Sequence, residues 1–264
     1  MNHNITTILI KMNDKNRTYT KNTAALWENT FIKHQIDKRK NGGIFTITDH
    51  IKAMVYSMLS SGISWNRVDK YNTGKNGELT DIDTAFHDYD VEYLLRCSPE
   101  ELTSKIKDLK CASKSTGEQM RALINNNIPR LQQLEEKYGS VDKFYKTFID
   151  KDNTLKSLVC TLSHPDSENK LAQLGIALTA EYLRNVGYDI AKPDRHICRI
   201  LCCKRLGLYD SETVPPFAAF DIVADIAKTT GRVIAETDYI LWSYCSNGFC
   251  TKRNPKCESC VIKK

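Results

Sequence analysis

Asp194 is the residue of this sequence whose type and position point most directly to chemistry. It follows Pro193 and precedes a run, Arg195 to Ile200, in which apolar residues recur at helical spacing. An aspartate in that position is a common helix cap, and capping is its structural interpretation. An ionised carboxylate at the start of a helix can also stabilise a developing positive charge or activate a water molecule. On these residues alone, both interpretations stay open.

Upstream of Asp194, the stretch from Leu171 to Leu183 is typical of two helices joined by a tight turn at Gly175. Its apolar residues would pack the two helices against each other. The second helix would begin with backbone N–H groups that suit a phosphate oxygen, those of Gly175, Ala177, Leu178 and Thr179. Ordinary helix packing explains most stretches of this kind, so the pattern alone indicates a hairpin and not a ligand.

The chain carries ten cysteines, which is a large number for its length. The N-terminal stretch from Met1 to Lys21 is polar and interrupted, so we expect no signal peptide, and no apolar run approaches the length of a membrane span. In a reducing compartment, clustered cysteines indicate a metal or iron–sulfur site before they indicate disulfides. The cluster lies near the C-terminus and comprises Cys245, Cys250, Cys257 and Cys260.

The hairpin and the proline–aspartate segment, in this order and this close, resemble the helix-hairpin-helix DNA glycosylases, typified by endonuclease III and the adenine glycosylase. In that family a hairpin of the form L-P-G-[VI]-G-x-x-T-A precedes a segment of the form [VKP]-D-x-[HN]-[VI]-x-R. The matching residues here run from Thr179 to Leu183 and from Pro193 to Arg199. The resemblance implies that Asp194 is the catalytic carboxylate and that the partner is double-stranded DNA containing a damaged base.

The hairpin departs from the family motif where lyase-competent relatives carry the lysine that forms a Schiff base with the sugar. Alignment on Thr179 and Ala180 places Leu178 there, and a leucine has no amine with which to attack. The resemblance therefore implies a monofunctional glycosylase that uses water as its nucleophile. Two alternatives stay open: a bifunctional glycosylase and abasic-site lyase that uses Lys170 or Lys192, and a helix-hairpin-helix protein that binds DNA without catalysis.

The C-terminal cysteines resemble the iron–sulfur loop of the same family, which reads C-x6-C-x2-C-x5-C. Cys250, Cys257 and Cys260 match its first three positions, and the fourth would fall beyond the last residue, so Cys245 becomes the candidate fourth ligand. A [4Fe–4S] cluster, a zinc ion and no metal are the three interpretations. In the family this loop contacts the DNA backbone, which assigns phosphate binding to Lys252, Arg253 and Lys256.

The helical spacing of apolar residues, with no sustained alternation of β-branched residues, predicts an all-α protein. Ser98 and Pro99 are typical of a helix start, and Pro129 predicts a kink or break in a helix from Thr116 to about Lys137.

The resemblance implies two helical lobes with a DNA cleft between them. Residues 48–180 would form a six-helix barrel with the hairpin at its end, 23–47 plus 181–264 would hold Asp194 and the cysteine loop, and 1–22 would be a disordered tail.

The net charge of +6 favours an anionic partner without requiring one. The stretch from Thr179 to Tyr182 resembles the alkylation-repair branch of the family and favours an alkylated purine as the damaged base. We expect a monomer that is located in the cytoplasm at the nucleoid of a bacterium, or in the nucleus of a eukaryote.

Overall fold

Helices are the regular elements of this chain in the part that the structure, a computed structural model, describes: residues 26–71, 76–152 and 154–259. The expected all-α class is confirmed, and the expected tail, 1–22, lies outside the described residues. The α-helices are α1 (Phe31–Lys40), α2 (Ile47–Leu59), α3 (Asn66–Asp69), α4 (Thr80–Ala85), α5 (Val91–Arg96), α6 (Pro99–Asp108), α7 (Thr116–Ala122), α8 (Ile128–Tyr138), α9 (Val141–Asp152), α10 (Lys156–Ser163), α11 (Ile176–Asn185), α12 (Arg195–Leu201), α13 (Pro216–Thr230) and α14 (Ile234–Ser246).

The chain divides into two compact units. We call His34–Tyr188 the central unit, and Met1–Lys33 together with Asp189–Lys264 the terminal unit. The sequence-based boundary at residue 180 falls inside α11, and the whole of that helix lies in the central unit. Among the described residues, the helices are all too short or too polar to span a bilayer.

The core of the central unit is built on the packing of α11 against α2. Most of α2 is buried, and Thr46 and Asp49 form a capping box at its N-terminus. Three hydrogen bonds join the two helices: Ser57 Oγ donates to Leu178 O at 2.6 Å, Asn185 Nδ2 donates to Ala53 O at 3.3 Å, and His50 Nδ1 pairs with Tyr182 Oη at 2.6 Å. These contacts hold the second helix of the hairpin against the core.

The helix expected to kink near Pro129 contains a π-helical insertion. A five-residue π-helix, Leu123–Asn127, separates α7 from α8, and Pro129 lies in the first turn of α8, where its missing N–H costs least. The insertion ends on Asn127, a buried residue whose amide pairs with both backbone groups of Ala172. Asn127 Nδ2 donates to Ala172 O at 3.0 Å, and Ala172 N donates to Asn127 Oδ1 at 2.7 Å.

The end of the central unit requires a glycine. Gly187 has φ +82°, and a Cβ built on it would lie 2.3 Å from the carbonyl oxygen of Gln35. Any other residue would be strained by the backbone angle and by this contact with α1. Beside it, Arg39 donates from Nε to Val186 O at 2.8 Å and from Nη2 to Asp142 at 2.9 Å.

The terminal unit contains α12, α13 and α14, which pack on one another. The apolar side of α14 is buried with Ile240, Leu241 and Tyr244, but the same helix also buries the carboxylate of Asp238. A segment without regular secondary structure, 189–194, runs beside α14 and leads directly into α12. Its contacts determine where Asp194 lies.

Candidate active site around Asp194

Asp194 caps α12 and uses one of its two carboxylate oxygens to do so. Its backbone is extended, with φ −81° and ψ 178°, as an N-cap requires. Oδ1 accepts hydrogen bonds from His196 N at 2.7 Å and from Ile197 N at 3.1 Å. The half-buried Asp194 makes no other side-chain hydrogen bond to the described residues, so Oδ2 is uncommitted there. The structural role assigned from the sequence is therefore present, and it leaves an oxygen for chemistry.

The segment before Asp194 is a tight, buried turn. Asp194 N donates to Lys192 O at 2.7 Å, and Lys192 N donates to Oδ1 of Asp238 at 2.9 Å. Pro193, between them, is buried and has no N–H to donate. Sequence reasoning missed Asp238, although a carboxylate in the apolar stretch of α14 could have drawn attention to it, since buried charges need partners.

Several charged side chains act on the imidazole of His196, in the first turn after the Asp194 carboxylate. His196 lies next to it, and burial lowers the pKa of the imidazole, against the opposing effect of Asp194. Lys192, Arg195 and Arg199 also act on His196 and favour its neutral form. The ring accordingly accepts a hydrogen bond at Nδ1 from Arg199 Nη2, at 2.9 Å. The imidazole beside Asp194 is thus held by Arg199 and favours its neutral form.

Cys198 is a half-buried thiol near this carboxylate. Its pKa is raised to about 11, chiefly by burial and then by the charge of Asp194, with a smaller contribution from Asp238. The thiol donates to Pro193 O at 3.6 Å. The raised pKa favours the thiol over the thiolate, which is the nucleophilic form.

The hairpin differs in form from the sequence prediction. Its first helix, α10, ends at Ser163, and a longer connection, 164–175, leads to α11. Gly175 is the exposed N-cap of α11, but its φ of −83° is accessible to any residue, so no tight turn depends on it. The residue with positive φ in this connection is Gln173, at +60°.

The residues proposed for phosphate binding lie in the first turn of α11. Gly175 has no side chain with which to cap the helix, and the first N–H groups of a helix have no acceptor within it. Ala177 and Leu178 are half-buried, while Thr179 is fully buried and its hydroxyl has no hydrogen-bond partner among the described residues. An anion at this N-terminus would therefore contact backbone amides.

Neither alternative lysine is an exposed amine. Lys170 Nζ donates to the carbonyl oxygen of Ser163, at 3.0 Å, and so caps the C-terminus of α10. Lys192 is nine-tenths buried and lies two residues before Asp194. Of the two, only Lys192 belongs to the same compact unit as Asp194.

The cysteine loop brings two of its four thiols together. The sulfurs of Cys245 and Cys250 are hydrogen-bonded, and this contact raises the pKa of Cys245 and lowers that of Cys250 to about 6, with help from Arg199 and Arg205. Both are buried, and Cys245 Sγ also lies 3.5 Å from His196 O. Cys257 is half-buried, and Cys260 lies outside the described residues. No three metal-ligating side chains are grouped among the described residues, so the thiols that can be placed do not by themselves form a cluster or zinc site.

The basic residues of the loop face solvent. Lys252, Arg253 and Lys256 are exposed on the stretch between Cys250 and Cys257. Backbone hydrogen bonds stabilise the loop, and one of them joins Lys256 N to Phe249 O at 2.9 Å.

The described helices form a fold that is shared with solved DNA glycosylase structures. Solved structures of a Methanocaldococcus jannaschii 8-oxoguanine DNA glycosylase share it. One matches with a TM-score of 0.57 and 19% identity, over 95% of this chain and 98% of that chain.

A second structure, of an 8-oxoguanine glycosylase/lyase from the same organism in complex with a 15mer DNA containing 8-oxoguanine, matches with a TM-score of 0.53 and 20% identity, over 84% and 91% of the two chains. No protein-family model and no curated protein sequence matches this chain. At these identities the likeness establishes the fold.

Proposed function

We propose that this protein is a DNA-repair glycosylase that hydrolyses the N-glycosidic bond of a damaged base, with Asp194 as its catalytic carboxylate. The observation that carries the proposal is the geometry of Asp194. One oxygen caps α12 and the other makes no hydrogen bond to the described residues, within a fold shared with DNA glycosylases.

The reaction follows from the charge that develops on the sugar. The damaged base must leave the helical stack before its bond can be reached. As the C1′–N bond breaks, its electron pair goes to the base and positive charge develops on the deoxyribose. The Asp194 carboxylate stabilises that charge and takes a proton from the water molecule that adds to C1′. The products are the free base and an abasic site.

Two regions are proposed to bind the DNA backbone. The amides that begin α11, those of Gly175, Ala177 and Leu178, would receive a phosphate at the hairpin, whereas the amide of Thr179 already donates to Gly175 O at 2.8 Å. Lys252, Arg253 and Lys256 would neutralise further phosphates from the cysteine loop. Such a protein would work at the nucleoid of a bacterium or in a eukaryotic nucleus, and we expect it to act as a monomer.

The substrate class we propose is a damaged purine. The solved relatives act on 8-oxoguanine, and the sequence around Thr179 favours an alkylated purine. We propose hydrolysis without a lyase step, because Leu178 occupies the position of the Schiff-base lysine. The second candidate is a glycosylase/lyase, the activity named for one neighbour, and the buried Lys192 would be its amine. No step is assigned to a metal centre.

A panel of duplexes tests the proposal. Each carries one modified base, including 8-oxoguanine and methylated purines, and is incubated with wild-type protein and then divided into samples with and without hot alkali. We expect cleavage at one or more damaged purines only after alkali. Asp194→Asn should retain the cap and the fold but slow excision by roughly 100-fold or more. Excision by Asp194→Asn within a few-fold of the wild-type rate would remove Asp194 from its role.

A further inference from the structure

We propose that Asp238 is a positioning residue for Asp194, an inference that rests on the proposed function of Asp194. The two aspartates lie on different elements of the terminal unit, Asp194 before α12 and Asp238 on α14. They are joined through Lys192, by one hydrogen bond to the Asp238 side chain and one between backbone groups. Asp238 Oδ1 accepts from Lys192 N at 2.9 Å, and Lys192 O accepts from Asp194 N at 2.7 Å.

The backbone N–H of Lys192 is the group through which α14 holds this segment. Pro193 has no N–H, and the N–H of Asp194 is used within the turn. The N–H of Lys192 is therefore the nearest amide upstream of Asp194 that another element can bind, and it is bound by a carboxylate that is 1% exposed. A buried carboxylate forms stronger hydrogen bonds than a neutral acceptor, so this contact resists displacement.

A second bond between the same two elements restrains the other end of the segment. Asp189 Oδ1 accepts from Ala235 N, in the first turn of α14, at 2.9 Å. The segment thus offers a carboxylate to an amide of α14, and α14 offers a carboxylate to an amide of the segment. With both ends held, rotation of the segment on α14 is blocked.

The consequence concerns the second carboxylate oxygen of Asp194. Oδ1 is held by the amides of His196 and Ile197, so the direction of Oδ2 follows from the positions of α12 and of the Lys192–Asp194 turn. A shift of about 1 Å in a catalytic group can cost roughly 100-fold in rate. Loss of the Asp238 contact removes a hydrogen bond that holds the turn before Asp194. It should therefore reduce the rate of chemistry more than the affinity for DNA.

The test compares Asp238→Ala with Asp238→Asn. Asparagine keeps an oxygen that can accept from Lys192 N, whereas alanine removes the acceptor and leaves that amide buried without a partner. We expect Asp238→Ala to lower the single-turnover rate of excision by roughly 100-fold, with little change in the Kd for the same duplex. Asp238→Asn should restore most of the rate.

Asp83→Ala controls for general loss of stability. Asp83 is a buried carboxylate of the central unit that accepts hydrogen bonds from Tyr56 and Tyr89, at 2.8 and 2.7 Å. Its loss should destabilise the protein but leave the rate at a permissive temperature near that of the wild type. Equal losses of rate in Asp238→Ala and Asp83→Ala, or a wild-type rate in Asp238→Ala, would overturn the proposal.

Hydrogen–deuterium exchange keeps this test separate from the proposed function. In Asp238→Ala the amides of 190–197 should exchange faster than in wild type, and in Asp238→Asn they should not. If the wild type excises no base from any duplex, the glycosylase proposal fails, while exchange still decides whether Asp238 holds the segment. Unchanged exchange in Asp238→Ala would refute the positioning role in either case.

Discussion

Arg199 donates a hydrogen bond from Nε to the backbone carbonyl oxygen of Cys250, at 3.0 Å. Arg199 lies on α12, the helix that Asp194 caps, and Cys250 begins the basic part of the cysteine loop. Arg205 makes a similar bond, from Nη2 to Thr251 O at 3.2 Å. The loop is thus attached to the candidate active site by two guanidinium groups. Its position in the terminal unit does not depend on a metal alone.

The loop carries three exposed cations, Lys252, Arg253 and Lys256, which are proposed to bind DNA phosphates. If about five or six phosphates are neutralised, the log–log slope of affinity against salt should be roughly −4 to −6. Replacement of Lys252, Arg253 and Lys256 by serine should flatten that slope by roughly 2 to 3. Fluorescence anisotropy across a salt series measures it. The matched control replaces Lys107, Lys137 and Lys146, three exposed lysines of the central unit. Equal slopes for the two triple variants would exclude the loop from DNA binding.

The absence of an amine at Leu178 predicts how the reaction ends. Wild-type protein should leave intact abasic strands, and borohydride should trap no covalent complex. Leu178→Lys should gain some trapping, which should rise with pH because only the deprotonated amine attacks. Leu178→Met, of similar volume and without an amine, is the control. Efficient trapping of the wild type would show that another lysine attacks, and loss of trapping in Lys192→Met would identify it.

The metal content of the purified protein tests the interpretation of the cysteine loop. If Cys245, Cys250, Cys257 and Cys260 hold a [4Fe–4S] cluster, as the resemblance of this loop implies, anaerobically purified protein should be brown and contain iron in stoichiometric amount. Elemental analysis and the visible absorption spectrum measure this. Bleaching by Cys245→Ala would establish the cluster and its fourth ligand, a colourless protein with one zinc ion would establish a zinc site, and a colourless protein without metal would show that the loop binds none.

The buried His50 should lower the free energy of unfolding in acid. Burial lowers its pKa from 6.5 to about 4, and the ring pairs with Tyr182 and lies 3.6 Å from Asp142. Since the unfolded chain binds this proton at higher pH than the folded chain does, stability should be constant above pH 6.5 and fall between pH 6.5 and 4. The maximum loss from this one group is about 3 kcal/mol.

Urea unfolding at several pH values measures this loss. His50→Gln should flatten the dependence over that range, whatever its own stability at neutral pH. The exposed His164 is the control, since His164→Gln should leave the pH dependence as it is in the wild type. A dependence in His50→Gln as steep as in the wild type would show that other groups cause it.

Local patterns determined several features of this protein from the sequence. Ser98 caps α6, accepting from Glu101 N at 3.1 Å, and Pro99 begins that helix. Asp194 caps α12 through amides two and three residues away. These features depend on neighbours within one helical turn, so residue types and spacing suffice to predict them.

Contacts between residues far apart in the sequence were decided only by the tertiary structure. The hairpin connection is longer than Gly175 suggested, and Asn127, 45 residues before Ala172, holds it. The contact that holds the turn before Asp194 comes from Asp238, 46 residues after Lys192. Such pairs have no common pattern in the sequence, because they form only when packed helices bring distant polar groups out of water and force them to pair.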